Sequence, residues 1–322
     1  MSFSVKVKND ICRVATLKDC CNKAEFIAFF LINGNIRLAG MHRLSVFMQT
    51  EHSASVRKMF ILAKEFSLER EISVFRRTKL NKNQVFTLNV PPQDNLTELL
   101  KRLDMLDENG SWRMGFPNHI REDILADECC RRAYLRGAFL ACGSISEPEG
   151  SYHLEFSSVE QKQAELLVEL LEGFNIHAGI SKRKESSVVY IKGAEDISQL
   201  LILMGSHRSL LEFESVRVEK EVRNQVNRQR NCDTANINRV VSAGMRQVED
   251  INFIIAEIGW DSLPQTLKDV AEMRLEYPDY SLTDLSDVSS IGRSAVNHRL
   301  RRLKEIAQNI RDFGPEHWNE RH

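Results

Sequence analysis

Ser294, Asn297, His298 and Arg301 recur at three- and four-residue steps, the spacing that sets side chains along one face of a helix. Their chemistry is that of groups that hydrogen-bond base edges: arginine to guanine, asparagine to adenine, serine to either. From Ser289 to Lys304 stand five basic residues (Arg293, Arg299, Arg301, Arg302, Lys304) and no acid. Phosphate contacts need such a local excess of positive charge. A solvated face on an ordinary bundle helix would show the polar spacing; the one-signed charge beside it favours double-stranded DNA. Arg293, Ser294, Asn297, His298, Arg299, Arg301, Arg302 and Lys304 are therefore the expected DNA-binding residues.

The elements that must hold this face follow from the surrounding pattern. Val296, Leu300, Leu303 and Ala307 fall on the opposite side of the same helix and would pack on the helices before it. Ser281-Leu282-Thr283-Asp284 has capping-box spacing for a short helix, and a turn through Ser289 to Gly292 leads into the longer one. Short helix, turn, longer helix is the helix-turn-helix arrangement, predicted over about 281–308. Upstream, Ile237 to Ile258 reads as one helix, and Ser262 with Pro264 starts another that stops before Pro278. Residues 237–322 are thus predicted to be all-helical. Between 206 and 236, a helix around Val218, Val222 and Val226 followed by the polar run Asn227-Arg228-Gln229-Arg230-Asn231 predicts a connector.

The first two-thirds of the chain is a duplication. Cys20 to Ile36 falls on Cys129 to Ile145 without a gap: Cys20 on Cys129, Cys21 on Cys130, Ala24 on Ala133, Phe30 on Phe139, Gly34 on Gly143. Each copy reads as a helix rich in small and large apolar residues, closed by a helix-ending glycine and suited to packing closely against its twin. After it, each copy predicts strands, a helix, strands and a closing helix, with repeats over about 20–107 and 129–205 in a domain spanning 1–205. Between the paired strands of each copy sits a basic cluster: Arg76, Arg77, Lys79 and Lys82 in the first, Lys182, Arg183 and Lys184 in the second. Solvated hairpin tips are commonly basic, and equivalent placement in both copies is the argument for contacts along a DNA backbone.

A duplicated helix followed by a two-sheet saddle resembles the LAGLIDADG homing endonuclease domain. Phe26 to Gly34 and Leu135 to Gly143 occupy the positions of that motif. The whole chain is similar to the WhiA family of bacterial transcriptional regulators. The segments that carry this are Tyr134 to Leu140, Ser151 to Glu155, Asn231 to Asn236, Arg246 to Ile251, Ser262-Leu263-Pro264 and Val296 to Leu300. The resemblance implies an α+β fold, a degenerate LAGLIDADG-like saddle followed by an all-α helix-turn-helix domain. It also implies roles in sporulation, or in cell division and chromosome segregation. An active endonuclease of this kind places an acid just before the glycine of each motif to hold divalent metal. Here those positions are Asn33 and Cys142, and hard magnesium wants carboxylate oxygens. No catalytic residue, cofactor or metal site is expected.

Composition bounds the rest. With 42% hydrophobic and 28% charged residues, the chain matches an ordinary globular protein, and its net charge of −1 argues neither for nor against nucleic acid. No signal segment or long uncharged apolar run is evident, so a cytoplasmic, nucleoid-associated location and no membrane partner are expected. Seven cysteines without a C-x-x-C read as reduced, buried thiols of a reducing cytoplasm, and the nine histidines show no metal-like spacing. Three functions stay open: a DNA-binding regulator, an adaptor whose saddle binds a partner such as an RNA polymerase sigma factor, and a DNA endonuclease, which the missing acids oppose. A monomer is favoured, since an internal pseudo-dyad removes one reason to dimerise.

Overall fold

The computed structural model describes residues 1–15, 18–39, 43–76, 84–107, 120, 124–183 and 186–316. They form two compact units, Met1–Lys220 and Glu221–His322.

In the first unit a leading helix α1 (Phe3–Arg13) precedes two copies of one pattern. The first copy is α2 (Asp19–Asn33), β1 (Gly34–Ala39), β2 (Arg43–Thr50), α3 (Ser53–Leu62), β3 (Glu71–Arg76), β4 (Gln84–Val90) and α4 (Asp94–Arg102). The second is α5 (Glu128–Cys142), β5 (Gly143–Ile145), β6 (Leu154–Val159), α6 (Gln161–Glu172), β7 (Gly179–Arg183), β8 (Ser186–Ile191) and α7 (Ala194–Met204). Each copy builds a four-stranded antiparallel sheet, ordered β1-β2-β4-β3 and β5-β6-β8-β7, so the duplication seen in the sequence is also one of topology. Because side chains alternate along a strand, register decides which residues enter the core. Val46 lies opposite Val90 and Met48 opposite Leu88 in one sheet, Leu154 opposite Ile191 and Phe156 opposite Val189 in the other, and all are buried.

The twin helices α2 and α5 are buried almost all round through Ala24–Phe30 and Ala133–Leu140, as expected of helices with no broad polar face. Their contact is close because it is made of small residues. A Cβ added to Gly137 would lie 2.1 Å from the Glu25 carbonyl oxygen and 2.9 Å from the Cβ of Ala28, its counterpart in the first copy. The glycines that close the two helices act differently from the expectation. Gly34 and Gly143 have extended backbones (φ −75° and −73°), not the left-handed conformation of a helix-ending glycine. Each helix runs straight into a strand, and glycine is required by crowding: a Cβ would meet the Phe30 carbonyl oxygen at 2.4 Å or the Phe139 ring at 2.3 Å.

A second difference concerns the predicted connector. The break around Asn227–Asn231 does not occur, and α8 is one helix, His207–Ile258, of 52 residues. It holds no proline and one glycine, Gly244, and a polar run of Arg, Asn and Gln does not by itself break a helix. In the first unit, the start of α8 is anchored by the Asp10 carboxylate, which accepts from the Ser209 backbone N–H at 2.9 Å and its hydroxyl at 2.7 Å.

The second unit contains the C-terminal part of α8, α9 (Gln265–Glu276), α10 (Leu282–Val288) and α11 (Arg293–Phe313). Its core joins Ile251 and Ile254 of α8, Leu267 and Val270 of α9, Leu285 of α10 and the buried row of α11. Buried Arg274 donates from its guanidinium to the carbonyls of Tyr277 (3.2 Å) and Tyr280 (2.7 Å), which fixes the turn between α9 and α10. Gly244 of α8 admits that turn, since a Cβ there would lie 2.0 Å from the Pro278 carbonyl oxygen.

Candidate nucleic-acid interface

The two helices of the expected helix-turn-helix form as a pair with a four-residue turn between them, and the second runs five residues past the expected Gln308. Ser281 caps α10 by the reciprocal pattern its sequence predicts. Its hydroxyl accepts from the Asp284 N–H at 3.2 Å, and the Asp284 carboxylate accepts from the Ser281 N–H at 2.9 Å. Hydrogen bonding of its carboxyl to the Ser281 side chain, and then to the Ser281 backbone N–H, holds Asp284 below the usual carboxylate range. Serine hydroxyls also shape the turn: Ser286 donates to the Ile291 carbonyl at 3.0 Å, and Ser289 accepts from the Ile291 N–H at 3.2 Å.

On α11 the apolar row Val296, Leu300, Leu303 and Ala307 is buried, joined by Ile306 and Ile310. Arg293, Ser294, Asn297, His298, Arg301, Arg302 and Lys304 are exposed, and Arg299 is half-buried. The proposed readers therefore share one solvent-facing surface on a helix whose other side is fixed in a core. One neighbour qualifies the charge reading. Glu305, one residue beyond the acid-free run, pairs with Arg301 at 3.5 Å and Arg302 at 3.2 Å. Among the described residues no carboxylate pairs with Arg293, Arg299 or Lys304.

In the repeat domain, Arg76 ends β3 and Arg183 ends β7, the corresponding edge strands of the two sheets, and both are exposed. Lys182 is exposed beside Arg183, which lies 3.8 Å from Glu155. Arg77, Lys79, Lys82 and Lys184 lie outside the described residues. The open face of the first sheet adds groups that sequence reading missed. Arg37 stacks on Phe47 at 4.8 Å, and Asn89 donates to Ser73 at 2.9 Å beside Gln49 and Thr87. Their signal was the alternation along β2, where Ser45, Phe47 and Gln49 face away from buried Val46 and Met48.

Asn33 and Cys142 end α2 and α5, where the resemblance requires metal-binding acids. The Asn33 amide donates to the Gln49 carbonyl at 2.6 Å. Burial pushes the Cys142 thiol up to about 12, and it donates to the Ala138 carbonyl at 3.5 Å. Neither offers a hard carboxylate oxygen, so these positions do not fit magnesium, and no cleavage step follows from them.

Comparison with known proteins accounts for nearly the whole chain. Residues 19–106 match the WhiA N-terminal LAGLIDADG-like domain, 131–223 the WhiA LAGLIDADG-like domain, and 226–307 the WhiA C-terminal HTH domain. The chain belongs to the WhiA family. It is 44% identical over 97% of its length to a WhiA protein of Desulforamulus reducens, and 42% over 96% to one of Heliobacterium modesticaldum; these cover 97% and 96% of those relatives. Both relatives bear the name "Probable cell division protein WhiA". The crystal structure of full-length WhiA from Thermatoga maritima matches 96% of this chain and 99% of its own, with a TM-score of 0.59 at 25% identity. The fold is thus that of WhiA: LAGLIDADG-like repeats followed by a helical helix-turn-helix domain. One further constellation in this WhiA chain escaped the sequence. Cys20, Cys21, Cys129 and Cys130 bring their sulfurs within 4.8 Å of one another, although no spacing motif marks them.

Proposed function

We propose that this WhiA chain is a non-enzymatic, sequence-specific binder of double-stranded DNA that regulates transcription. The observation that carries the reading is the exposed face of α11, where Ser294, Asn297 and His298 stand beside Arg293, Arg299 and Lys304, which no described carboxylate pairs, and beside Arg301 and Arg302, which share Glu305, while the opposite row is locked in the core. Ser294, Asn297 and His298 would read base edges; Arg293, Arg299, Arg302 and Lys304 would hold phosphates. Arg76, Lys182 and Arg183, with Arg77, Lys79, Lys82 and Lys184, would add backbone contacts from the repeat domain. The relatives' name supports a link to cell division; a role in chromosome segregation or sporulation rests on the family resemblance alone. Such a protein would work in the cytoplasm on the nucleoid; among the described residues no helix is long and apolar enough to cross a membrane. A monomer would suffice, because the paired repeats already supply two-fold placement within one chain.

Replacement of both metal-binding carboxylates, by the amide of Asn33 and the thiol of Cys142, supports binding without cleavage. A second reading, a protein adaptor for a partner such as a sigma factor, is favoured by Leu38, Val74 and Phe75, which leave 73%, 52% and 59% of their surface exposed on the first sheet. The test is a titration of mixed genomic duplexes against the full-length chain in a salt series, with a magnesium-dependent nicking assay alongside. Steeply salt-dependent binding without nicking is expected. Nicking would restore the endonuclease reading, and salt-insensitive or absent binding would favour the adaptor.

A further inference from the structure

The four cysteines form a site that the DNA-reading surface does not use. Cys20 and Cys21 are the second and third residues of α2, and Cys129 and Cys130 hold the same places in α5. Each repeat thus contributes one adjacent pair, and close packing of the twin helices brings all four Sγ atoms within 4.8 Å of one another. Fully buried Ala24 and Ala133 form the floor beneath them, with Ile124 at the side, so the surroundings are small and apolar. Cys21 and Cys130 are buried, Cys129 is half-buried and Cys20 is exposed, which leaves one side open for entry. All four are free thiols.

We propose that these four sulfurs bind a single thiophilic divalent cation, Zn²⁺, as a closed tetrahedral site that joins the two repeats. Thiolates are soft ligands that select zinc over magnesium or calcium, and four of them complete a structural zinc site. With Zn–S bonds of about 2.3 Å, the sulfurs of a regular tetrahedron stand about 3.8 Å apart. The present separations, none above 4.8 Å, exceed that by about 1 Å at the widest, within reach of side-chain adjustment. An iron–sulfur cluster places ligand sulfurs on separate iron atoms and spreads them further than one ion does. Binding releases the thiol protons to solvent and involves no electron transfer. A tetrathiolate zinc centre carries a double negative charge. The first turns of two helices face it with the positive ends of their dipoles, and Lys23 and Arg102 line the cavity beside Cys20 and Cys130, with Asp127 opposing them. The ion would sit at the opposite ends of α2 and α5 from Asn33 and Cys142.

Titration of the reduced full-length chain with Co²⁺ tests this. One equivalent should develop thiolate-to-cobalt charge transfer and the strong visible bands of a tetrahedral tetrathiolate ion, and Zn²⁺ should abolish them. Elemental analysis of chain purified with zinc and without chelator should give one zinc per chain. C21S/C130S should lose the spectrum and the metal, whereas C12S/C142S/C232S should keep both. Chelation should lower Tm in the parent and leave that of C21S/C130S unchanged. Should the double variant fail to fold, the parent's own spectrum decides. No binding, or the weak spectrum of a six-coordinate ion, overturns the proposal, as does recovery of the four residues as two disulfides.

Discussion

Arg136 donates from Nε to Glu25 Oε2 at 3.0 Å, an ion pair across the contact between α2 and α5, and both side chains are buried. Lys58 of α3 reaches the other carboxylate oxygen at 2.6 Å and also donates to the Ile11 carbonyl at 2.8 Å, which ties α1 into the same network. In the second copy the position of Glu25 is held by Tyr134, so the charge network breaks the internal symmetry. Removing one partner leaves an uncompensated buried charge, which costs about 3–5 kcal/mol. Glu25→Ala should lose that much in urea unfolding. A loss below about 1 kcal/mol would mean that water or relaxation satisfies the two cations.

Gly137 is the narrowest point of the same interface. Gly137→Ala should destabilise the chain by about 1–3 kcal/mol or more, because the clash is with backbone that cannot rotate away. Gly150→Ala, whose Cβ would meet the Glu147 carbonyl oxygen at 3.5 Å, should be near neutral. Thermal unfolding of the two variants side by side checks the contrast.

His52 caps α3, its Nδ1 accepting from the Ser55 N–H at 3.2 Å while Nε2 lies 3.2 Å from Asn9 Oδ1. Burial, then the charges of Lys8 and Arg57, push its pKa from 6.5 down to about 4. Between those values the unfolded chain binds a proton that the folded chain does not. The contribution of His52 to stability is therefore intact above about pH 6.5, declines as pH falls toward 4, and is level below that. His52→Asn, which keeps a capping acceptor, should flatten this part of the stability–pH curve. An unchanged slope would show that other groups set it.

Periodicity and duplication carried much of this structure in plain view. The buried row Val296–Leu300–Leu303–Ala307 and the free row beside it follow from helical spacing, and one copy's strand order predicts the other's. What escaped depended on partners distant in the chain. Gly34 and Gly143 sit at helix ends whether they serve left-handed backbone or a crowded contact, and only the Phe30 and Phe139 neighbours decide. The unbroken α8 was hidden because a polar run fits a loop and an exposed helix equally well. Cys20, Cys21, Cys129 and Cys130 match no spacing motif, since their proximity comes from helix packing rather than from local sequence.

Glu305 restrains the surface proposed to meet DNA. Exposed ion pairs contribute about 0–1 kcal/mol, so Glu305→Gln should leave stability nearly unchanged. It should, however, free Arg301 and Arg302 for phosphates, tightening duplex binding and steepening its salt dependence. Weaker binding by this variant would mean that Glu305 positions the arginines productively.

Fluorescence anisotropy of labelled duplexes tests most directly whether α11 reads DNA. The full-length parent, Asn297→Ala and the Arg301→Ala/Arg302→Ala pair would each be titrated with a preferred and a scrambled duplex across a salt series. Arg301→Ala/Arg302→Ala should weaken both duplexes alike and flatten the salt slope. Asn297→Ala should narrow the gap between the two duplexes by about 1–3 kcal/mol for each lost base contact. Binding by all three proteins with one affinity, one discrimination and one salt slope would contradict the account and place DNA recognition elsewhere in the chain.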